Sequence, residues 1–211
     1  MKVDRTGQLF RPGPVGPDLL VTGRRWAEAR PVRLLTVGHG TLSADELVAL
    51  LDGAGVSQLV DVRSAPGSRR HPHFAKDQMA RWLTETGIGY RWEPGLGGRR
   101  RTATDSPNTA LRHPAFRGYA DHMATPEFRG ALDRLLEEAG AGTTAAMCAE
   151  SLWWRCHRRL LADAAVLLRG ATVVHLDHRG HLGEHRLTDG VRAAGDDLVY
   201  DVGSPPPLPG I

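Results

Sequence analysis

The stretch VRLLTVGHGTLSADELVALLDGAGVSQLVDVR, residues 32–63, decides the fold class. It opens with a short apolar run ending in glycines, which reads as a buried strand. SADELVALLDGAG follows with helical spacing. Ser43 stands at the N-cap position and Glu46 at the partner position of a capping box, while Leu47, Leu50 and Leu51 form one apolar face and Gly53 marks the stop. VSQLVDVR, residues 56–63, is a second apolar strand that ends in charge. Strand, helix and strand in this order form the repeating unit of an α/β fold.

The pattern continues outward. KDQMARWLTETG reads as a helix, IGYRWEP as a short strand, and residues 95–108 as a Gly/Arg loop. Two helical segments follow, the second with Thr125 as cap, Pro126 at the first helical position and Gly140 as its stop. TTAAMCAE is a strand, WRCHRRLLADAAVLL a helix starting near Trp153 or Trp154, and ATVVHLD a last strand. This alternation predicts a single α/β domain with a mainly parallel sheet and right-handed crossovers over residues 31–177. Residues 1–30 read as an N-terminal arm. Residues 178–211, polar and rich in His, Gly and Pro, read as a partly irregular C-terminal extension.

The 211 residues suffice for a core without staples, and 41% hydrophobic with 24% charged residues is ordinary for a soluble protein. No run of 18 apolar residues is present, so no membrane span is expected. Two cysteines and no signal-peptide pattern point to the cytoplasm. The net charge is +3, and Lys2 and Lys76 are the only lysines. Arginine therefore carries the positive charge. It clusters beside Gly and Pro in DVRSAPGSRRHPHF and GLGGRRRTATDS, and such loops suit phosphate or another anion. A GC-rich coding bias explains the same composition without any ligand.

In parallel sheets ligands bind beyond the carboxyl ends of the strands. Those ends carry His39, then Asp61 with Arg63, then Cys148 with Glu150. Each also has a plainer reading: His39 as a turn residue, Asp61 as a loop cap, Arg63 with Arg69 and Arg70 as a solvated loop, Cys148 as a small buried hydrophobe. Together they form a candidate site. Asp61 or Glu150 would be general acid or base, His39 or His157 would assist, and Cys148 would be the nucleophile if catalysis is covalent. Arg63, Arg69, Arg99 and Arg158 would hold phosphate, and a first helical turn containing Cys156, His157 and Arg158 would face an anion and lower a thiol pKa. Tyr119 is either a stacking residue or part of the core. Cys148 and Cys156 lack compact zinc-finger spacing, but with His39 and Glu150 they could complete a metal set. Neither a Walker motif nor a dinucleotide fingerprint is present.

Taken in order, TVGHGTLSADELVALL, LVDVRSAPGSRRHPHF, YRWEPGLGGRR, FRGYADHM and MCAESLWWRCHRRLLAD resemble the DUF488 family, a bacterial group of unknown function, over residues 32–177. The resemblance implies a Rossmann-like α/β domain. It points motif by motif at His39, Asp61, Arg63, Pro66, Ser68, Arg69, Phe74, Leu96, Gly97, Tyr119, Cys148, Glu150, Cys156, His157 and Arg158. The chain departs from the family pattern at Gly40, where a serine is usual. DVRS also resembles the strand end of rhodanese-like sulfurtransferases, but their cysteine-bearing anion loop is missing.

Three functions stay open. The first is an enzyme acting on a phosphorylated, nucleotide-like or nucleic-acid substrate. The second is a non-catalytic nucleic-acid or nucleotide-binding module, supported by a pI near 9.2 and by Trp82, Trp92, Trp153 and Trp154 as stacking residues. The third is a metal-dependent or thiol redox enzyme using Cys148, Cys156 and His39. The histidines at 175, 178, 181 and 185 read either as ligands or as a hydrated loop.

Overall fold

A computed structural model describes residues 32–67 and 71–203. The proposed arm (1–30) and the expected anion ligand Arg69 lie outside the described residues, as does Ser68.

The described chain is an α/β domain. Its strands are β1 (Arg33–Gly38), β2 (Gln58–Asp61), β3 (Gly89–Trp92), β4 (Thr144–Cys148), β5 (Thr172–Leu176) and β6 (Leu182–Glu184), and its helices are α1 (Ala44–Gly53), α2 (Lys76–Glu85), α3 (Pro114–Met123), α4 (Pro126–Ala141) and α5 (Arg158–Arg169). The strand order is β3-β2-β4-β1-β5-β6. All neighbours are parallel except β6, which runs antiparallel to β5.

Local chemistry sets the element ends. The Ser43 backbone N–H donates to Glu46 Oε2 at 2.7 Å and the Glu46 N–H donates to Ser43 Oγ at 3.2 Å, which closes the expected capping box of α1. Thr125 caps α4 ahead of Pro126. Gly170 ends α5 in the left-handed region at φ 65°, where a side chain would be strained.

The pleat sorts side chains into two cores. Leu35, Val37, Leu59, Ala145, Met147 and Val174 pack beneath α1 and α2 with Leu47, Leu51, Met79 and Leu83. Leu34, Val60, Val62, Ala146, Cys148 and Val173 face α3, α4 and α5. Helices thus cover both faces of the sheet, giving the mainly parallel α/β fold expected from the alternation of strand and helix, in the three-layer, Rossmann-like form that the family resemblance implies.

Two features go beyond that expectation. The extension supplies β6 and a hairpin, β7 (Val191–Ala194) with β8 (Asp197–Tyr200), alongside irregular segments. The helix after Cys148 starts later than expected. Trp153–Arg155 form a 3-10 turn closed by the Cys156 N–H on the Trp153 carbonyl, and α5 begins only at Arg158. Cys156 therefore precedes the helix, with His157 at its N-cap position, and the expected first turn of Cys156, His157 and Arg158 does not form.

Candidate active site

Gly38 and Cys148 are paired at the ends of β1 and β4. Here the chain order reverses, since β2 and β3 lie to one side of β1 and β5 to the other. A reversal of this kind opens a crevice beyond the strand ends. Among the described residues, His39, Asp61, Arg63, Cys148 and Glu150 reach this end of the sheet, but the pleat divides them between its two faces.

On the α1–α2 side, Asp61 is fully buried and serves as an ion-pair partner. Arg63 Nε donates to Asp61 Oδ1 at 2.8 Å and Nη2 donates to Oδ2 at 2.5 Å, while the Tyr90 hydroxyl donates to Oδ2 at 2.8 Å. Such a carboxylate has no free face for proton transfer. It orients Arg63, whose Nη2 also donates to the Phe74 carbonyl. Arg63 Nη1 lies 3.3 Å from His39 Nε2. Guanidinium can only donate, so Nε2 accepts and the proton sits on Nδ1, which donates to the Gly40 carbonyl at 3.0 Å. Burial and then the Arg63 charge push the His39 pKa down to about 4, which leaves the ring neutral. Phe74 stacks on it at 4.0 Å. Phe74 is fully buried, so this expected ligand residue serves as the backing of His39.

On the α3–α5 side, Cys148, Cys156 and His157 converge. Their ligand-capable atoms all lie within 4.8 Å of one another. His157 Nε2 is 3.0 Å from the Val62 carbonyl, which can only accept, so Nε2 carries the proton. Nδ1 is left as an acceptor, 3.8 Å from Cys148 Sγ and 3.5 Å from Cys156 Sγ. The Tyr119 ring supports this imidazole at 5.0 Å, and the Tyr119 hydroxyl donates to the Leu96 carbonyl. Tyr119 is fully buried, so of its two readings the core one holds.

Charge within the pair is unequal. A hydrogen bond from Cys148, helped by the Arg158 charge, lowers the Cys156 thiol well below its ordinary pKa. The Cys148 thiol, donating that bond from a buried position, is pushed up.

Arg158 is 1% exposed and forms no carboxylate ion pair among the described residues. Its Nη2 donates to the Glu150 and Ser151 carbonyls, while its buried Nε has no partner. The expected phosphate ligand is therefore enclosed behind the thiols as their counter-charge. Glu150 is exposed and its Oε1 accepts from the Leu152 N–H at 3.2 Å, so this expected acid or base shapes the loop after β4. His39 is bound up with Arg63 and Phe74, and His157 takes the place expected for it beside the two sulfurs.

A cleft of about 160 Å³ opens over this cluster, lined by Arg63, Ser64, Gly98, Arg99, Cys148 and His157. Arg99 is exposed and has a left-handed backbone (φ 58°), which is uncommon for a residue with a side chain. Gly97 is buried against Ser64, and the Ser64 hydroxyl donates to the Gly98 carbonyl. A Cβ on Gly98 would sit 2.9 Å from His157 Nδ1, so this glycine keeps the approach to the imidazole nitrogen open. Ser64 and Gly98 escape a reading by reactive residue type, because they act through shape and backbone contact.

A second polar cluster also escapes that reading. Thr36 Oγ1 donates to His175 Nδ1 at 2.6 Å, His175 Nε2 to His185 Nδ1 at 3.0 Å, and His185 Nε2 to Asp163 Oδ1 at 2.8 Å. The Tyr200 hydroxyl completes it, donating to Asp163 Oδ2 at 2.9 Å. Trp153 stacks on His175 at 4.0 Å. His175 and His185 are thus buried links between sheet and hairpin, and neither belongs to a hydrated loop. The sequence signal was Asp163, a single carboxylate inside the apolar run of α5.

No curated protein and no solved structure matches the chain. The family model described as a domain of unknown function, DUF488, matches residues 43–165, more than half of the chain and the whole span from the cap of α1 through both cysteines into α5. With that match added to the ordered motifs and the α/β fold, the chain belongs to the DUF488 family.

Proposed function

We propose that this protein is an enzyme that takes an anionic, phosphorylated or nucleotide-like substrate into the cleft over Cys148 and transforms it at the Cys148–Cys156–His157 centre. The observation that carries this reading is the single imidazole nitrogen facing two sulfurs beneath a cleft bordered by Arg63 and Arg99. A structural cysteine needs neither a fixed imidazole acceptor nor a cationic opening, whereas a reactive one does.

Arg99 is the residue that meets the anion. It is exposed at the rim and makes no ion pair among the described residues, so its whole fork of donors is available. Arg63 lines the wall, held in place and neutralised by Asp61 and braced by His39. Cys148 borders the cleft, and Cys156, the thiol whose pKa is lowered by its hydrogen bond from Cys148, lies behind it. The two sulfurs and His157 therefore act as a unit, and Cys148 is not an isolated nucleophile.

The base-stacking reading has less support. Trp153 is stacked on His175, Trp82 donates to the His73 carbonyl, and Lys76 lies over Trp92, which leaves only Trp154 of the four tryptophans exposed, at 50%.

The test is calorimetric binding and turnover over a panel of phosphorylated metabolites and nucleotides. Arg99→Ala should weaken binding about 10- to 100-fold, the worth of a charge-assisted hydrogen bond. Cys148→Ser should abolish turnover with binding retained. If no member of the panel binds, or if Cys148→Ser turns over normally, the proposal fails.

A further inference from the structure

Resting on this reading of the cleft, we infer that Cys148, Cys156 and His157 form a Cys2His zinc site whose fourth coordination position opens toward Arg63 and Arg99.

Four observations support a metal rather than thiols alone. The first is geometric. A tetrahedral zinc ion about 2.3 Å from sulfur and about 2.0–2.1 Å from imidazole nitrogen holds those two atoms about 3.6 Å apart. The two Sγ–Nδ1 distances are 3.8 and 3.5 Å, and all three atoms lie within 4.8 Å of one another.

The second is the tautomer. Metal-bound histidines characteristically give their other N–H to a carbonyl or carboxylate, which fixes the ring and raises its basicity. The Val62 carbonyl does this to His157 Nε2, so the lone pair of Nδ1 points at both sulfurs.

The third is the balance of charge. Two thiolates neutralise a divalent ion, so a zinc centre with these three ligands carries no net charge. Arg63 is already neutralised by Asp61, but Arg158 is enclosed nearby and Arg99 borders the cleft, neither with a carboxylate partner among the described residues. These cations suit a fourth ligand that is negative, either hydroxide or an oxygen of the substrate. When zinc binds, Cys148 releases its proton and both sulfurs become ligands.

The fourth is access. Gly98 lies at His157 Nδ1, and Cys148 and His157 both line the cleft while Cys156 is buried behind them. Three protein ligands and one open side are the arrangement of catalytic zinc, whereas structural sites are closed by four protein ligands. His39, held by Arg63 and Gly40, is not a ligand here.

The experiment uses the full chain purified without air or chelator. Elemental analysis should find about one zinc per chain, and Co²⁺ replacing it should give the intense visible and near-ultraviolet bands of tetrahedral cobalt–thiolate coordination. Cys148→Ser, Cys156→Ser and His157→Gln should each lose stoichiometric zinc and alter the cobalt spectrum. His181→Gln, on an exposed histidine outside the cleft, should change neither. Added inorganic phosphate should shift the cobalt bands in the wild type and shift them less in Arg99→Ala. A metal-free protein whose two thiols are freely alkylated, or a Cys148–Cys156 disulfide in fresh protein, would overturn the inference. With either result, loss of turnover in Cys148→Ser would leave the enzyme reading standing as thiol chemistry. Stoichiometric zinc together with no binding anywhere in the substrate panel would establish the site and remove the enzyme reading.

Discussion

Asp61 illustrates how far residue type alone leads and where it stops. A carboxylate at a strand end suggests acid–base work, yet this one is saturated by Arg63 and Tyr90. Asp61→Asn would leave the Arg63 guanidinium, 6% exposed, without its counter-charge, and removing one partner of a buried pair costs about 3–5 kcal/mol. Urea denaturation should show that loss. Unchanged stability with an altered pH–rate profile would instead restore Asp61 to a chemical role. Two histidines set a pH dependence. Burial followed by the Arg63 charge lowers His39 to about 4, and burial followed by His185 lowers His175 to about 3, both from 6.5. Protonation therefore favours the unfolded chain. Their contribution is complete above about pH 6.5 and is lost as pH falls toward 4 for His39 and toward 3 for His175, with each histidine adding a slope of about 1.4 kcal/mol per unit. Denaturation midpoints measured between those limits should fall with pH, and the fall should be shallower in His175→Gln.

At the scale of elements, strands and helices were legible because each carries its own period and punctuation. TTAAMC is a short apolar run and became β4, while Ser43 with Glu46 closed the cap on α1. Two things were not legible. The start of α5 depends on the turn at Trp153–Arg155, and neither its length nor its hydrogen bond follows from helix propensity. The face on which each functional residue lies depends on pleat parity, so Asp61 and Cys148, both at strand ends, point into different layers. The site was therefore legible as a set of residues and not as a grouping. The same layer logic makes Gly38 decisive, because a Cβ there would overlap the Glu150 carbonyl and press on Arg158 Nη2 at 2.8 Å. Gly38→Ala should displace the loop between Cys148 and Arg158, with thiol alkylation rates rising well before the far-ultraviolet circular dichroism changes.

Across the whole molecule, the extension is fastened to the domain by a buried carboxylate. Asp163 on α5 receives His185, the Thr188 N–H and the Tyr200 hydroxyl, so the edge strand and the hairpin converge on one group. Tyr200→Phe removes a hydrogen bond to a charged acceptor, a loss of about 2 kcal/mol. For a chain of this size that corresponds to a thermal midpoint about 4–8 °C lower. A thermal scan showing no shift would mean that the hairpin is not fastened there.

The central position of β4 has a temporal consequence. β1 and β2 are successive in the chain but are not neighbours in the sheet, because β4 lies between them: Thr144 is the partner of both Leu34 and Gln58. During synthesis the first two strands emerge with their shared partner still unmade. At about 5–20 residues per second, roughly 4–17 s pass between completion of β2 and arrival of β4. Over that interval two apolar strand edges must be kept from pairing with each other or with a neighbouring chain. The segment that ends the wait is also the one that delivers Cys148, so this sulfur enters the protein only with the strand that joins β1 to β2.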